Sequence, residues 1–149
     1  MLGELTEADA GAGRLLACTL YARSGRLFDH VYVHAKIGIV DDTWLTLGSA
    51  NLNEHSLFND TEMNLVTHDA DLARRTRLRL WAEHLELPLD KVEVEPSRLI
   101  DDYWKPISKE QLARRQAGEP LTHRLVQLPG VSKRSERLLG PLQGLLVDG

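Results

Sequence analysis

Along the first half of the chain, apolar and polar residues follow a rhythm of two. Val31, Val33, Ala35, Ile37 and Ile39 take the odd positions, and Tyr32, His34, Lys36, Gly38 and Val40 the even ones. Side chains alternate sides along a strand, so Val31–Val40 is predicted as one strand. One of its faces is pure core, and the other presents His34 and Lys36 side by side. Asp41-Asp42 supplies turn chemistry, and Thr43–Leu47, rich in β-favouring residues, returns as the second strand of a hairpin. Upstream, Arg14–Arg23 reads as a buried strand ending in a Ser24-Gly25 turn. Downstream of Gly48-Ser49-Ala50-Asn51, an irregular polar stretch runs to Asp60, and Glu62–Thr67 reads as another short strand.

After Asp69 the rhythm becomes helical. Leu72, Leu78, Trp81, Ala82 and Leu85 are spaced to form one stripe, with Asp69 placed to cap a helix that runs to about Glu86. Pro88 follows closely. Pro96 opens a tail of shorter helical pieces, with a Ser108-x-x-Gln111 capping box and a stop at Gly118. Strands followed by helices, without an internal repeat, predict an α/β or α+β layer fold. The expected division is a catalytic part over residues 1–95 and a peripheral helical extension over 96–149 that packs on it.

Composition narrows the function classes. With 149 residues, 42% of them apolar, the chain can bury one real core. Lys and Arg number 18 against 22 Asp and Glu, a net charge of −4, which disfavours nucleic acid as a main partner. A single cysteine, Cys18, rules out an internal disulfide, and no Cys-x2-Cys pair points to zinc or redox chemistry. Nowhere do 18 apolar residues follow one another, so no membrane span is predicted. The first residues lack a basic start followed by an apolar run, so no signal peptide is read there. The compartment stays open between the cytoplasm and a membrane periphery.

Cleaving a phosphodiester without a metal needs a group that can hold a proton near neutral pH and fixed cations for the non-bridging oxygens. His34 and Lys36, two apart on one strand face, meet both needs, whereas an odd spacing would bury one of them. Gly48-Ser49-x-Asn51 places small residues where a backbone must come close to a ligand, with a hydroxyl and an amide to complete an oxyanion cradle. Glu62 is the candidate carboxylate to hold a histidine ring in one tautomer, with Asp60 as fallback. Asp41 ends the strand and is expected to form a structural ion pair.

The run His34-x-Lys36-x4-Asp41-x6-Gly48-Ser49-x-Asn51 matches the phospholipase D superfamily signature without a gap. Its continuation, Asn53-x2-Ser56-Leu57-x4-Glu62, resembles cardiolipin synthases and bacterial phospholipase D-like proteins, with His55 standing where many members have arginine. Leu80–Leu85 resembles the tail of the second catalytic motif of phospholipases. The resemblance covers Tyr32–Leu87. It implies a half-domain built on a mixed β-sheet flanked by helices and incomplete without a second half. It also implies a hydrolase or phosphatidyltransferase of lipid metabolism with His34, Lys36 and Asp41 as catalytic residues. Gly48, Ser49, Asn51 and Glu62 would lie around the phosphate, with no metal and no cofactor.

Family members pair two such motifs, one histidine attacking phosphorus and the other protonating the leaving group. Here His30, His55, His68, His84 and His123 all lack a lysine two residues later. The second motif is expected from an N-terminal region or from another chain. Because 33 residues precede His34, the expectation is the C-terminal portion of a two-motif enzyme acting on phospholipid with peripheral membrane contact, and His34 takes the acid/base role. A homodimeric single-motif nuclease and a non-catalytic half are the alternatives. Other features read as structural. His30 and His34 have helical metal-pair spacing but lie in a strand, Trp81 is core, and His84 is a packing or surface residue. Arg74, Arg75, Arg77 and Arg79 form a solvated face, and Leu128-Pro129-Gly130-Val131-Ser132 is a plain turn.

Overall fold

A computed structural model describes residues 2–25, 27–53 and 55–129. The described residues fall into two compact units, one spanning Cys18–Gln127. The other includes helix α1, Leu2–Asp9, where the Asp9 carboxylate accepts from the Gly13 and Arg14 amides at 2.8 and 2.9 Å.

Within Cys18–Gln127 the strands are β1 (Cys18–Ser24), β2 (Leu27–His30), β3 (Lys36–Val40), β4 (Trp44–Gly48), β5 (Asn64–Thr67) and β6 (Leu125–Gln127). They form two three-stranded sheets, ordered β2-β1-β6 and β3-β4-β5, and every pairing is antiparallel. The α/β character is as expected. The single mixed sheet is not, since no two neighbouring strands run parallel.

The predicted ten-residue strand Val31–Val40 is really the end of one sheet and the start of the other. Tyr21 faces His30 on the β1–β2 ladder, and the Val31 amide still donates to the Leu20 carbonyl at 2.9 Å. Residues 31–35 then cross between sheets, and pairing resumes only at Lys36, opposite Gly48. Alternation cannot distinguish one strand from two strands in different sheets, because the period is the same in both. Its apolar face is likewise no core face, with Val33 53% and Ile37 41% exposed.

The hairpin turn is as expected. Asp41 and Asp42 both have positive φ, 49° and 55°, and the Thr43 amide donates to the Val40 carbonyl at 3.0 Å. A tight hairpin reversal of this hand needs two such residues, and Asp tolerates them. The Ser24-Gly25 turn holds too, with Ser24 paired to Leu27 and Gly25 at φ +59°.

Helix α2 runs Ala70–Leu85, and Asp69 caps it by accepting from the Leu72 amide at 2.9 Å. Of its predicted stripe, Leu78 and Leu85 are buried but Leu72 is exposed, and Ala73 takes the buried place. Short helices α3 (Leu89–Val92) and α4 (Pro96–Leu99) lead through a π-helical turn, Ile100–Trp104, into α5 (Lys105–Gln116). Leu78, Leu85, Val92, Leu99 and Leu125 make one core cluster, with Trp81, Tyr103 and Trp104 against it.

Residues 96–127 are therefore no peripheral tail. They supply Leu99 and Leu125 to the core, and β6 pairs with β1. The Ser108–Gln111 capping box is also absent, because both residues are buried inside α5. Gln111 instead clamps the approach to β6, donating to the Thr122 hydroxyl at 2.9 Å and accepting from the Thr122 and His123 amides at 2.8 and 3.2 Å. The helix ends where expected, with Gly118 at φ +70°. Residues 130–149, and with them Gly130, Val131 and Ser132 of the expected turn, lie outside the described residues.

Candidate active site

Register builds the site. Lys36 of β3 lies opposite Gly48 of β4, which lies opposite Asn64 of β5. Residues directly opposed across antiparallel strands project to the same face, so these three form one row at one end of the sheet. Gly48 is obligatory for a reason internal to the fold. A Cβ there would run into the Asn64 side chain and the Met63 carbonyl oxygen and come within 2.7 Å of Asn64 Cα. The close approach at Gly48 is to Asn64 of β5 and to Met63 just before it.

The segment after Gly48 is pinned in the same way. The Ser49 amide donates to the Met63 carbonyl at 3.0 Å, and Ser49 Oγ accepts from the Met63 amide at 3.0 Å. The Ala50 amide donates to Asn64 Oδ1 at 3.3 Å. The Ser49 and Ala50 backbone amides are thus turned toward β5 and the residue before it. Asn51, half-buried, keeps its side-chain amide without a hydrogen bond among the described residues.

Glu62 sits just before β5. Hydrogen bonds from the hydroxyls of Ser49 and Ser56, with the nearby Lys36 ammonium, hold its carboxyl below the usual carboxylate range. Ser56 is buried, 5% exposed, at the head of a π-helical turn, His55–Asn59, where its amide donates to Asn53 Oδ1 at 2.8 Å. Lys36, Ser49, Ser56 and Glu62 therefore form one polar cluster, and Asp60 is not part of it among the described interactions.

His34 lies on the crossing segment and not on β3, and is exposed. The Lys36 ammonium donates to the His34 backbone carbonyl at 3.4 Å. Among the described residues the His34 ring has one partner, Tyr32, stacked at 5.6 Å between centroids with 18° between planes. Among the described residues no hydrogen bond joins the Glu62 carboxylate to the His34 ring.

Asp41 stands apart. It occupies the hairpin turn, five residues beyond Lys36, roughly 16 Å at the usual rise. Among the described residues it forms no ion pair. That role belongs to Asp42, whose carboxylate accepts from Arg77 Nε and Nη2 at 2.6 and 2.7 Å. The Arg77 guanidinium also lies 4.8 Å from the Trp81 ring centre. Arg77 is 7% exposed, so the expected solvated arginine face holds for Arg75 and Arg79 and fails for Arg77.

Sequence reasoning passed over Ser56 and Asn64 as site residues. The signals were there, an Asn-x-x-Ser turn at Asn53 and an asparagine at the head of a strand otherwise apolar.

Residues 12–82, which span the whole cluster, match the family model described as cardiolipin synthase, PLD-like domain. The chain is 33% identical over 114 residues to phospholipase D alpha 1 of Nicotiana tabacum, a match covering 62% of this chain and 14% of that protein. It is 30% identical over 152 residues to phospholipase D alpha 1 of Cynara cardunculus, covering 81% and 19%, and 34% identical over 94 residues to phospholipase D zeta 1 of Arabidopsis thaliana, covering 52% and 9%. The chain thus spans less than one fifth of the length of these relatives. All three are plant proteins, so the expected bacterial affinity draws no support from them.

Proposed function

The chain belongs to the phospholipase D superfamily, and from that premise we propose that it is one motif-bearing half of a phospholipase D-like phosphodiesterase or phosphatidyltransferase. Its substrate is a phospholipid and its intermediate a phosphohistidine. The observation that carries this reading is the polar cluster at one end of the β3–β4–β5 sheet, where a lysine, two hydroxyls and an ionised carboxylate converge beside the histidine of the signature.

The chemistry follows from the cluster. A second motif, contributed by another half, supplies the histidine that attacks phosphorus. The bond to the leaving alcohol breaks, and His34 gives that oxygen its proton. His34 then takes a proton from the incoming water or alcohol as it displaces the phosphoryl group from the partner histidine. Lys36 and the Asn51 amide meet the non-bridging oxygens, and Glu62, Ser49 and Ser56 brace Lys36 and the loop after β4. Asp41 contributes to the hairpin turn, outside contact with the reacting atoms.

The sequence supports a partner half, having one His-x-Lys signature where the mechanism uses two. The stretch Leu80–Leu85, with its likeness to the tail of a second motif, supports placing this chain as the C-terminal half. Phospholipid over nucleic acid is supported by the net charge of −4. It is also supported by Leu57, Phe58 and Met63, which are 53%, 80% and 81% exposed around the cluster and offer apolar contact to a lipid surface. No helix of the described residues is long and apolar enough to cross a membrane.

The test is the solution mass of the chain together with hydrolysis of a bis-aryl phosphodiester and of phosphatidylcholine vesicles, with and without a second motif-bearing half. A monomer that becomes active on complementation is expected. An active homodimer that cleaves DNA and ignores the vesicles would replace the reading with a single-motif nuclease, and inactivity in every combination would leave a non-catalytic half.

A further inference from the structure

His34 stands on a segment with unusually few restraints. Residues 31–35 cross between the two sheets, and after the Val31 amide no ladder bond among the described residues holds them before Lys36. A strand fixes a side chain by pairing its backbone on both sides. Here, among the described residues, the backbone of His34 is tied only through its carbonyl to Lys36. Glu62, the carboxylate placed to orient the ring, is engaged by Ser49 and Ser56. A proton-transferring imidazole needs its plane fixed, because a misplaced ring loses the alignment that makes the transfer fast.

One contact supplies that restraint. Tyr32 and His34 are two apart in an extended segment, so both side chains leave the same side, and their rings lie nearly parallel at 18° with centroids 5.6 Å apart. Tyr32 is 68% exposed and belongs to neither core cluster, so hydrophobic burial does not account for it. An offset stack of this kind also favours an imidazolium over a neutral ring, since the aromatic face attracts positive charge.

We propose that Tyr32 is the positioning residue of His34, fixing the imidazole plane by stacking. The proposal rests on the reading of His34 as the acid/base. Nothing in the stack requires the phenol hydroxyl, so phenylalanine serves and an aliphatic residue does not.

The experiment compares wild type, Tyr32→Phe and Tyr32→Leu. Because the residue is exposed, all three are expected to give the same circular dichroism and unfolding midpoint. In the full chain, the His34 ring-proton resonances, assigned through His34→Gln, should carry the upfield ring-current shift of a stacked imidazole in wild type and Tyr32→Phe and lose it in Tyr32→Leu. With the complementing half and a bis-aryl phosphodiester, Tyr32→Leu should lower kcat about five- to tenfold at nearly constant KM, and Tyr32→Phe should stay within about twofold of wild type. Unshifted His34 resonances in wild type, or a Leu variant as fast as wild type, would overturn the positioning role while leaving the phosphodiesterase reading standing. An inert wild type would remove both, and a Phe variant as slow as Leu would transfer the role to the hydroxyl and refute the stack.

Discussion

The two ends of the Cys18–Gln127 unit are held together by different physics. Around α2, α5 and β6, Leu85, Leu99, Leu125, Val92 and Val126 are all under 2% or at 2% exposed, and packing alone specifies where they go. At the β3–β4–β5 sheet, Ile37, Leu47 and Leu65 lie in one cross-strand row and are 41%, 50% and 58% exposed. There, position is set by single polar contacts: Asn64 over Gly48, Ser49 on Met63, and Asp42 on Arg77. The core is redundant and the site is not. A change at the site should therefore alter chemistry while sparing the fold, and a change in the core should do the reverse.

The largest expected effect tests that separation directly. Lys36→Ala removes the ammonium from the cluster and should lower kcat about a hundred- to a thousandfold in the complemented enzyme, with an unchanged unfolding midpoint. Wild-type rates would show that the cluster is not where the phosphate binds. The converse is Leu85→Ala, which empties a fully buried position on α2 and should cost about 3 kcal/mol of stability, read by urea unfolding. Activity per folded molecule should change little. A large loss would show that core packing extends its influence to the site.

How much of this was legible in the sequence follows the same division. Asp69 and the helix to Leu85, the Asp41-Asp42 turn and the β3–β4 hairpin were readable, because capping, turn and alternation rules are local. The break at residues 31–35 was not, because it depends on which sheet each strand joins. The tail from Pro96 looked peripheral for a related reason. Leu125 lies on β6, whose partner β1 is over a hundred residues away in sequence, and Leu99 joins the same core cluster from α4. At the site, Lys36, Ser49 and Glu62 were picked out by spacing and the structure brings them together. Which of two neighbouring aspartates would pair with Arg77 was invisible, since nothing local distinguishes Asp41 from Asp42.

Glu62 separates two kinds of support within the site. If it braces Lys36 and the loop through Ser49 and Ser56, Glu62→Gln should keep the geometry partly and slow turnover about tenfold, clearly less than His34→Gln. A loss as large as that of His34→Gln would mean that the carboxylate acts on the reacting groups themselves.

The smallest effect is one of pH, and it probes the lock that joins the hairpin turn to α2. Arg77 hydrogen bonding and charge hold the Asp42 carboxyl below its usual range. A carboxyl whose pKa is lower folded than unfolded adds stability that is present in full above its unfolded value, about 3.9, and fades as pH falls through the folded one. Wild type should therefore lose stability below about pH 4 more steeply than Asp42→Asn, which lacks the titrating group. At neutral pH the order is the same as for any broken pair, the variant being weaker because Arg77 keeps a buried charge with a neutral partner. The two acid-unfolding curves should converge as pH falls. Parallel curves would place the stability of this turn in the backbone reversal at Asp41 and Asp42, and the site's hairpin would then owe nothing to charge.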